Sequence, residues 1–293
     1  MQTRSPACCA IIVLLTAPAL TAQQTTEAAT DKSQFTLFNP TPRQLMRDFE
    51  TDRPDQTESP YTVDAGHFQL EADFASYTYD RRTPGPVKTR FQDLTLGDVN
   101  LKLGLLNHLD AQLILTPFRW QRTQDLSTRA AREEQGIGDT LLRLKYNLFG
   151  DDDGPIALAV LPYLKLPTNQ GQFSNHYLEA GLILPFNWKI RKGTELGAMT
   201  EFDASHDNTG AGYHLDWVNS IVFHQDLIPD KLNAYVELYT LLSTEHHAGP
   251  LITADVGLIY SLTPDCTLDL GVNAGITKPA PDWNLFTGIS FRI

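Results

Sequence analysis

The sequence predicts an all-β protein, an antiparallel transmembrane β-barrel of about twelve strands with short periplasmic turns and longer extracellular loops. Three observations carry this. Long segments alternate apolar and polar residues with a period of two. Their connections alternate between short and long. The N-terminus has the layout of an export signal.

That N-terminus, "MQTRSPACCAIIVLLTAPALTAQQ", places one basic residue, Arg4, before an apolar run from Ala7 to Leu15. Small residues follow through Ala22, and cleavage after Ala19 or Ala22 fits. The run is too short to cross a bilayer as a helix, so residues 1–22 read as a secretory signal peptide. Cys8 and Cys9 leave with it, and Cys266 then stands alone, so the exported chain has no intrachain disulfide. Across 293 residues, 23 Lys+Arg face 35 Asp+Glu, a net charge of −12. That balance excludes the basic footprint of a nucleic-acid surface. The mean hydropathy of −0.24 would suit a soluble protein, so the order of the residues carries the membrane signal rather than their average.

Residues 23–64 read as a periplasmic arm. Thr25 to Gln34 is polar and without period. Thr41 can cap, Pro42 suits a first helical position, and Leu45, Met46 and Phe49 share one side, which predicts a short helix over about 42–49. "ETDRPDQTESP", Glu50 to Pro60, sets four carboxylates around Arg53, and its prolines restrict the backbone.

From residue 65 to residue 293 the pattern is strand after strand. Phe68, Leu70, Ala72 and Phe74 alternate with Gln69, Glu71 and Asp73. Val99 to Leu105 alternates around Lys102, and Leu142 to Leu148 around Arg143 and Lys145. Leu178 to Phe186 opposes Glu179, and Leu196 to Phe202 opposes Glu195, Glu201 and Asp203. Leu232 to Leu238 opposes Tyr235 and Glu237, Ile252 to Tyr260 opposes Asp255, and Leu268 to Ile276 opposes Asp269. The last strand, "WNLFTGISFRI", sets Trp283, Leu285, Ile289, Phe291 and Ile293 against Arg292. These segments run to roughly 11–16 residues, where soluble strands have about five or six and bilayer-spanning strands about nine to eleven. Short connections ("LNHLD", "GDDDG", "KIRKG", "LIPDK", "LTPDC") alternate with longer ones ("RRTPGPVK", "TQDLSTRAAREEQ", "PTNQGQFS", "HDNTGAG", "EHHAGP", "TKPAPD"). The count is even, with both termini on the turn side. A soluble sandwich has the same alternation. Strand length, the signal and aromatics near strand ends (Trp120, Trp188, Tyr213, Trp217, Tyr260, Trp283) decide for a barrel. Closure follows, because backbone groups in hydrocarbon must all be paired.

Two motifs carry a resemblance. Thr51, Asp52, Arg53, Pro54 and Asp55 are followed by Ser59-Pro60 and by Gly66, Gln69 and Glu71; "GIGDTLLRLKYNLF" spans Gly136 to Phe149. From about Phe49 to the C-terminus the chain resembles the transporter-like outer-membrane barrel family named for a MetA pathway of phenol degradation. The resemblance implies a porin-like role in passive passage or uptake of a small aromatic or hydrophobic compound. The residues themselves do not name the solute.

The polar face is the expected lumen. It carries Glu71, Asp73, Glu179, Glu195, Glu201, Asp203, Glu237, Asp255 and Asp269, with Lys102, Arg143, Lys145, Lys165 and Arg292 opposing them. Such charges either select solutes or pair and fill the barrel. Asp52, Arg53 and Asp55 are candidates for a gate at the turn-side mouth; a linker that only fixes the entry of the first strand has the same composition. Three functional readings therefore stand: a channel, a non-conducting structural or interaction barrel plugged by its own arm and ion pairs, and an outer-membrane lipid hydrolase. The hydrolase needs a serine and a histidine on one face, and Ser205 and His206 are neighbours on a strand, pointing opposite ways. No catalytic residue, cofactor or metal site is expected: His246 and His247 read as solvated loop residues, and "GIGD" lacks the rest of a nucleotide motif. The expected partners are outer-membrane lipid, the outer-membrane insertion machinery and an unidentified small solute.

Overall fold

The computed structural model describes residues 31–81, 88–152, 154–169, 171–207 and 212–293. The expected signal peptide lies outside them. Fifteen strands form one sheet: β1 (Phe68–Asp80), β2 (Thr89–Leu96), β3 (Val99–Leu106), β4 (Leu109–Leu115), β5 (Phe118–Asp125), β6 (Ala131–Gly136), β7 (Thr140–Phe149), β8 (Ile156–Leu166), β9 (Glu179–Arg191), β10 (Thr194–His206), β11 (Tyr213–Ile228), β12 (Leu232–Ser243), β13 (Leu251–Thr263), β14 (Cys266–Gly275) and β15 (Trp283–Arg292). All pairings are antiparallel, and the ring β1-β3-β4-β7 continues through β8 to β15 and back to β1. This is a closed twelve-stranded barrel.

Three staves that the sequence pattern presents as continuous are broken at one level. β2 and β3 part at residues 97–98, β4 and β5 at 116–117, and β6 and β7 at 137–139. Each break has a local cause. Gly97 adopts φ +68°, a left-handed conformation open to glycine. Pro117 has no N–H for the ladder. At Gly138 a Cβ would fall 2.7 Å from Cβ of Thr116. β1 carries a register shift beside them, between Asp73 and Ala75. Backbone bonds stitch the breaks into a line, Asp73 N to Asp98 O at 2.8 Å and Gly138 N to Thr116 O at 2.8 Å. Beyond that line the wall continues as β1-β2-β5-β6, and among the described residues β6 has β5 as its one strand partner. The stretch Thr123 to Gln135, expected as a long loop, is mostly strand, with only residues 126–130 between β5 and β6. Both faces of this stretch are polar, so it lacks the apolar row that identifies a strand.

The exterior is apolar and unpacked. Leu144, Val236 and Leu270 are 47%, 55% and 50% exposed, part of a continuous band that suits lipid and not water. The lumen is less uniformly polar than its alternation implies. Leu161, Ile183, Met199 and Val218 form a buried apolar patch on the inner wall, with Tyr163 and Tyr239 packed against it.

The short helix expected over 42–49 shrinks to one 3-10 turn, Arg43–Leu45, flanked by extended residues Pro42 and Met46. The helix loses its backbone to the barrel. Arg47 N donates to Asp64 Oδ2 at 3.1 Å in place of the Arg43 carbonyl that a helix would offer it, and just ahead of the turn Thr41 N is fixed to Ala65 O at 2.9 Å. The arm then lies flat on β3 at Gly104, where a Cβ would meet the Asp64 carbonyl oxygen at 2.0 Å. Replacing Gly104 by valine overpacks that contact, at a cost of about 1–3 kcal/mol. The temperature at which the compact gel band is lost should fall by several degrees; an unchanged temperature contradicts this packing.

Candidate functional site

The segment Glu50 to Pro60 crosses the lumen as a strap, and it is tied to the wall on several sides. Asp52 accepts from Lys145 Nζ at 2.6 Å and also from Lys102. Lys102 simultaneously donates to Glu71, whose carboxylate takes Gln69 Nε2 at 2.7 Å and the backbone N of Asp52 at 3.2 Å. Arg53 forks onto Asp269, Nη2 at 2.7 Å and Nε at 3.1 Å, and reaches Asp73 with Nη1 at 2.6 Å. Arg143 donates to Glu58. Thr57 Oγ1 lies 2.5 Å from Glu237 and 2.6 Å from the Ser220 hydroxyl; Gln56 donates to Glu237 at 2.9 Å and to Asp255 at 2.7 Å. Asp55 faces His224 at 3.5 Å.

The strands explain why these groups converge. Each contributing residue lies on the inward row of its strand, and the registers bring the rows level, as with Gln69↔Lys102 and Glu71↔Ser290. The expected lumen charges therefore divide. Glu71, Asp73, Lys102, Arg143, Lys145, Glu237, Asp255 and Asp269 hold the strap. Arg292 holds the preceding arm, pairing with Asp265 at 2.8 Å and donating to Arg47 O at 3.0 Å. Lys165 pairs with Glu179 at 2.5 Å on the loop side, Glu195 accepts from Asn187 at 2.6 Å, and Asp203 accepts from Tyr163 at 2.7 Å. Glu201 lines the loop-side cavity with its neighbour.

A second set of contacts has no counterpart in the alternation pattern. Arg47 lies between Asp151 at 3.0 Å and Asp152 at 3.1 Å, and donates to Thr62 O and Asn107 O, both at 2.8 Å. Lys32 adds a contact to Asp152 at 2.7 Å. Asp151 and Asp152 belong to the turn "GDDDG", which the sequence pattern presents as a short connection. Its run of acids beside a basic arm is the one signal that could have marked the clamp.

The strap separates two cavities. One, of about 220 Å³, opens among Phe49, Glu50, Phe186, Glu195 and His224. The other, of about 500 Å³, lies toward the loops among Asp73, Asp98, Arg143, Glu201, Tyr239 and Asn284. Arg53, Asp55 and Glu58 border both. Among the described residues no cluster of three His, Cys, Asp or Glu side chains could hold a metal ion.

The profile of the family described as "Putative MetA-pathway of phenol degradation" matches residues 51–293. The chain belongs to this family. The family match begins at Thr51, inside the strap. Among solved structures, the COG4313 outer membrane channel from Pseudomonas putida F1 is similar in fold, with a TM-score of 0.60 at 12% identity, covering 83% of this chain and 100% of that one. The translocator domain of autotransporter NalP from Neisseria meningitidis is more distant, with a TM-score of 0.49 at 12% identity over 77% of this chain and 88% of that chain. No functionally curated protein matches the sequence.

Charge state sets how firmly this family member holds its strap. Burial opposes ionisation of Asp52, yet the ammoniums of Lys102 and Lys145 outweigh it and hold its carboxyl far below the usual range. A depressed carboxyl stabilises the folded state above its unfolded pKa, about 3.9, and that contribution disappears only when pH falls through the much lower folded value. Between pH 5 and pH 8 this tether is constant. The hydrogen bond that the His108 ring donates to the Asp151 carboxylate raises the histidine's pKa at the turn-side clamp. A raised histidine contributes below its unfolded value, about 6.5, and the contribution is lost as pH rises through the folded value. The clamp should therefore resist trypsin cleavage after Arg47 better at pH 6 than at pH 8.5, with His108→Ala abolishing the difference. Lys145→Met removes one partner of a buried pair, a loss of about 3–5 kcal/mol, and should expose that cleavage site at both pH values. Equal protection in wild type and variant contradicts the tether.

Proposed function

We propose that the protein is an outer-membrane channel for small solutes, closed at rest by the Glu50–Pro60 strap. One observation carries the reading: a polar segment of the chain's own arm stands between two cavities lined by charged residues. All its ties to the strand wall named above are hydrogen bonds or ion pairs. Groups of this kind can be solvated by water once the strap has left, which suits a movable closure better than an apolar core would. In this reading residues 1–22 direct export, residues 23–64 form the arm and residues 65–293 form the wall. The barrel sits in outer-membrane lipid after assembly by the insertion machinery. The family's description suggests an aromatic or hydrophobic solute, and the apolar inner patch around Leu161 and Met199 is compatible with one.

The field on the loop side favours cations. Asp55, Glu58, Asp73, Asp98 and Glu201 border the larger cavity against Arg53 and Arg143, and each of those arginines already pairs with a carboxylate. A second route is favoured by the wall itself for apolar solutes. Among the described residues the outer edge of β6 pairs with no strand, and the loop after β8 covers it through side chains, with Arg132 to Gln172 at 2.6 Å and Asn169 to Ile137 O at 2.5 Å. The Gly136 end of β6 is level with Trp120 at the hydrocarbon boundary, and a solute dissolved in lipid would meet the interior at that end without passing the extracellular mouth.

Planar-bilayer conductance separates these readings from a permanently plugged barrel. Removing residues 23–60 should raise conductance several-fold, and a salt gradient should give a reversal potential of cation-selective sign. Unchanged conductance contradicts the strap as closure. In liposomes, flux of small polar solutes should rise with that deletion, whereas uptake of an apolar phenol should not, if the route at β6 serves it.

A further inference from the structure

The registers settle which side chains of the loop-side sheet point out of the barrel. Asn284 and Phe286 of β15 line the inner cavity, so Trp283 and Leu285 point outward. Tyr79↔Trp283 and Tyr77↔Leu285 carry that face onto β1, and Tyr79↔Gln92 and Tyr77↔Leu94 carry it onto β2. Leu94↔Trp120 and Gln92↔Arg122 extend it to β5. The outward rings are packed together, with Trp283 centred 5.5 Å from Tyr77 and 5.6 Å from Tyr79. Rings so placed mark the boundary between hydrocarbon and headgroups.

Two arginines stand just beyond that boundary. Arg122 is two residues past Trp120 on a strand running toward the loops. Arg90 is two residues beyond Gln92, on the same outward face. Because Gln92 pairs with Arg122, Arg90 is the diagonal neighbour of Arg122, about 7–8 Å away. Neither is neutralised well. Arg122 has Glu133 at 3.4 Å, itself 53% exposed, and Arg90 pairs with no carboxylate among the described residues. The Nε atoms of both are buried and lack hydrogen-bond partners. An outward guanidinium is costly in mid-bilayer and nearly free at headgroup level, so position and charge agree on the depth.

We propose that Arg90 and Arg122 together bind a phosphate group on the headgroup of an outer-leaflet lipid, whose acyl chains lie along Leu94 and Trp120. Guanidiniums match phosphate in charge and in their paired donors, and two at this spacing can share one group. The site continues the apolar lipid-facing band directly below it and is independent of whether the lumen conducts.

Native mass spectrometry of the full chain in detergent tests this, with bisphosphorylated lipid A and its dephosphorylated form as probes. Wild type should retain the bisphosphorylated probe about tenfold more tightly than the Arg90→Ala/Arg122→Ala variant, and should show little preference once the phosphates are removed. Arg132→Ala, which changes an arginine of the inner face, should retain it like wild type. Heat-modifiable migration checks that each variant is folded. Equal retention by wild type and the double variant, or equal retention of the dephosphorylated probe, overturns the site.

Discussion

The strap and the inner wall beneath it are arranged around charges that cannot be left alone. Lys145 is fully buried, and Lys102 and Glu71 are 2% exposed. A lone ammonium in such a place would be untenable, so the inner wall needs a carboxylate delivered from elsewhere. Asp52 is that carboxylate, and it arrives on the arm. The dependence is mutual: the strap stays in the lumen because the wall is charged, and the wall tolerates its lysines because the strap is present. A permanent plug could be built from apolar packing at lower electrostatic cost. A closure made of ion pairs is compatible with leaving, because water can replace each partner on both sides.

The wall and its interior were legible to different degrees. Period-two alternation from Phe68 to Ile293 shows the staves, their even count and the lipid face, because one side of each strand must meet hydrocarbon. It also places Lys102, Arg143, Asp255 and Asp269 on the inward row. It cannot show which inward charges meet, since partners such as Arg53 and Asp269 are separated by most of the chain. The clamp of Arg47 on Asp151 and Asp152 was hidden for another reason: a turn and an irregular arm have no period to read. The short helix failed where the Asp64 carboxylate accepted the Arg47 N–H that its ladder needed. The apolar patch around Leu161 and Met199 was masked because apolar residues there occupy both faces of β8 and β9, which looks like ordinary strand composition.

The loop-side half of the wall follows a separate logic. The line of breaks through Gly97, Pro117 and Gly138 lets three staves bend away from the ring. Their upper parts form a sheet that turns polar on both faces beyond Trp120 and ends at β6. Strand edges normally invite pairing; here side chains of the following loop cover the edge. The same bend sets Trp120 and Arg122 in succession on the outer surface. The feature that makes this region hard to recognise as strand is thus the feature that gives it two aqueous faces and a charged rim above the aromatic rings.

The most direct measurement locks the strap where the structure places it. Thr57 and Ser220 bring their hydroxyls within 2.6 Å, so cysteines at both positions, in a Cys266→Ser background, can be joined and released at will. Single-channel recordings before and after reduction then compare a fixed strap with a free one in the same molecules. The account predicts that oxidation abolishes openings and that reduction restores them. Identical open probability in both states would show that the strap does not control passage.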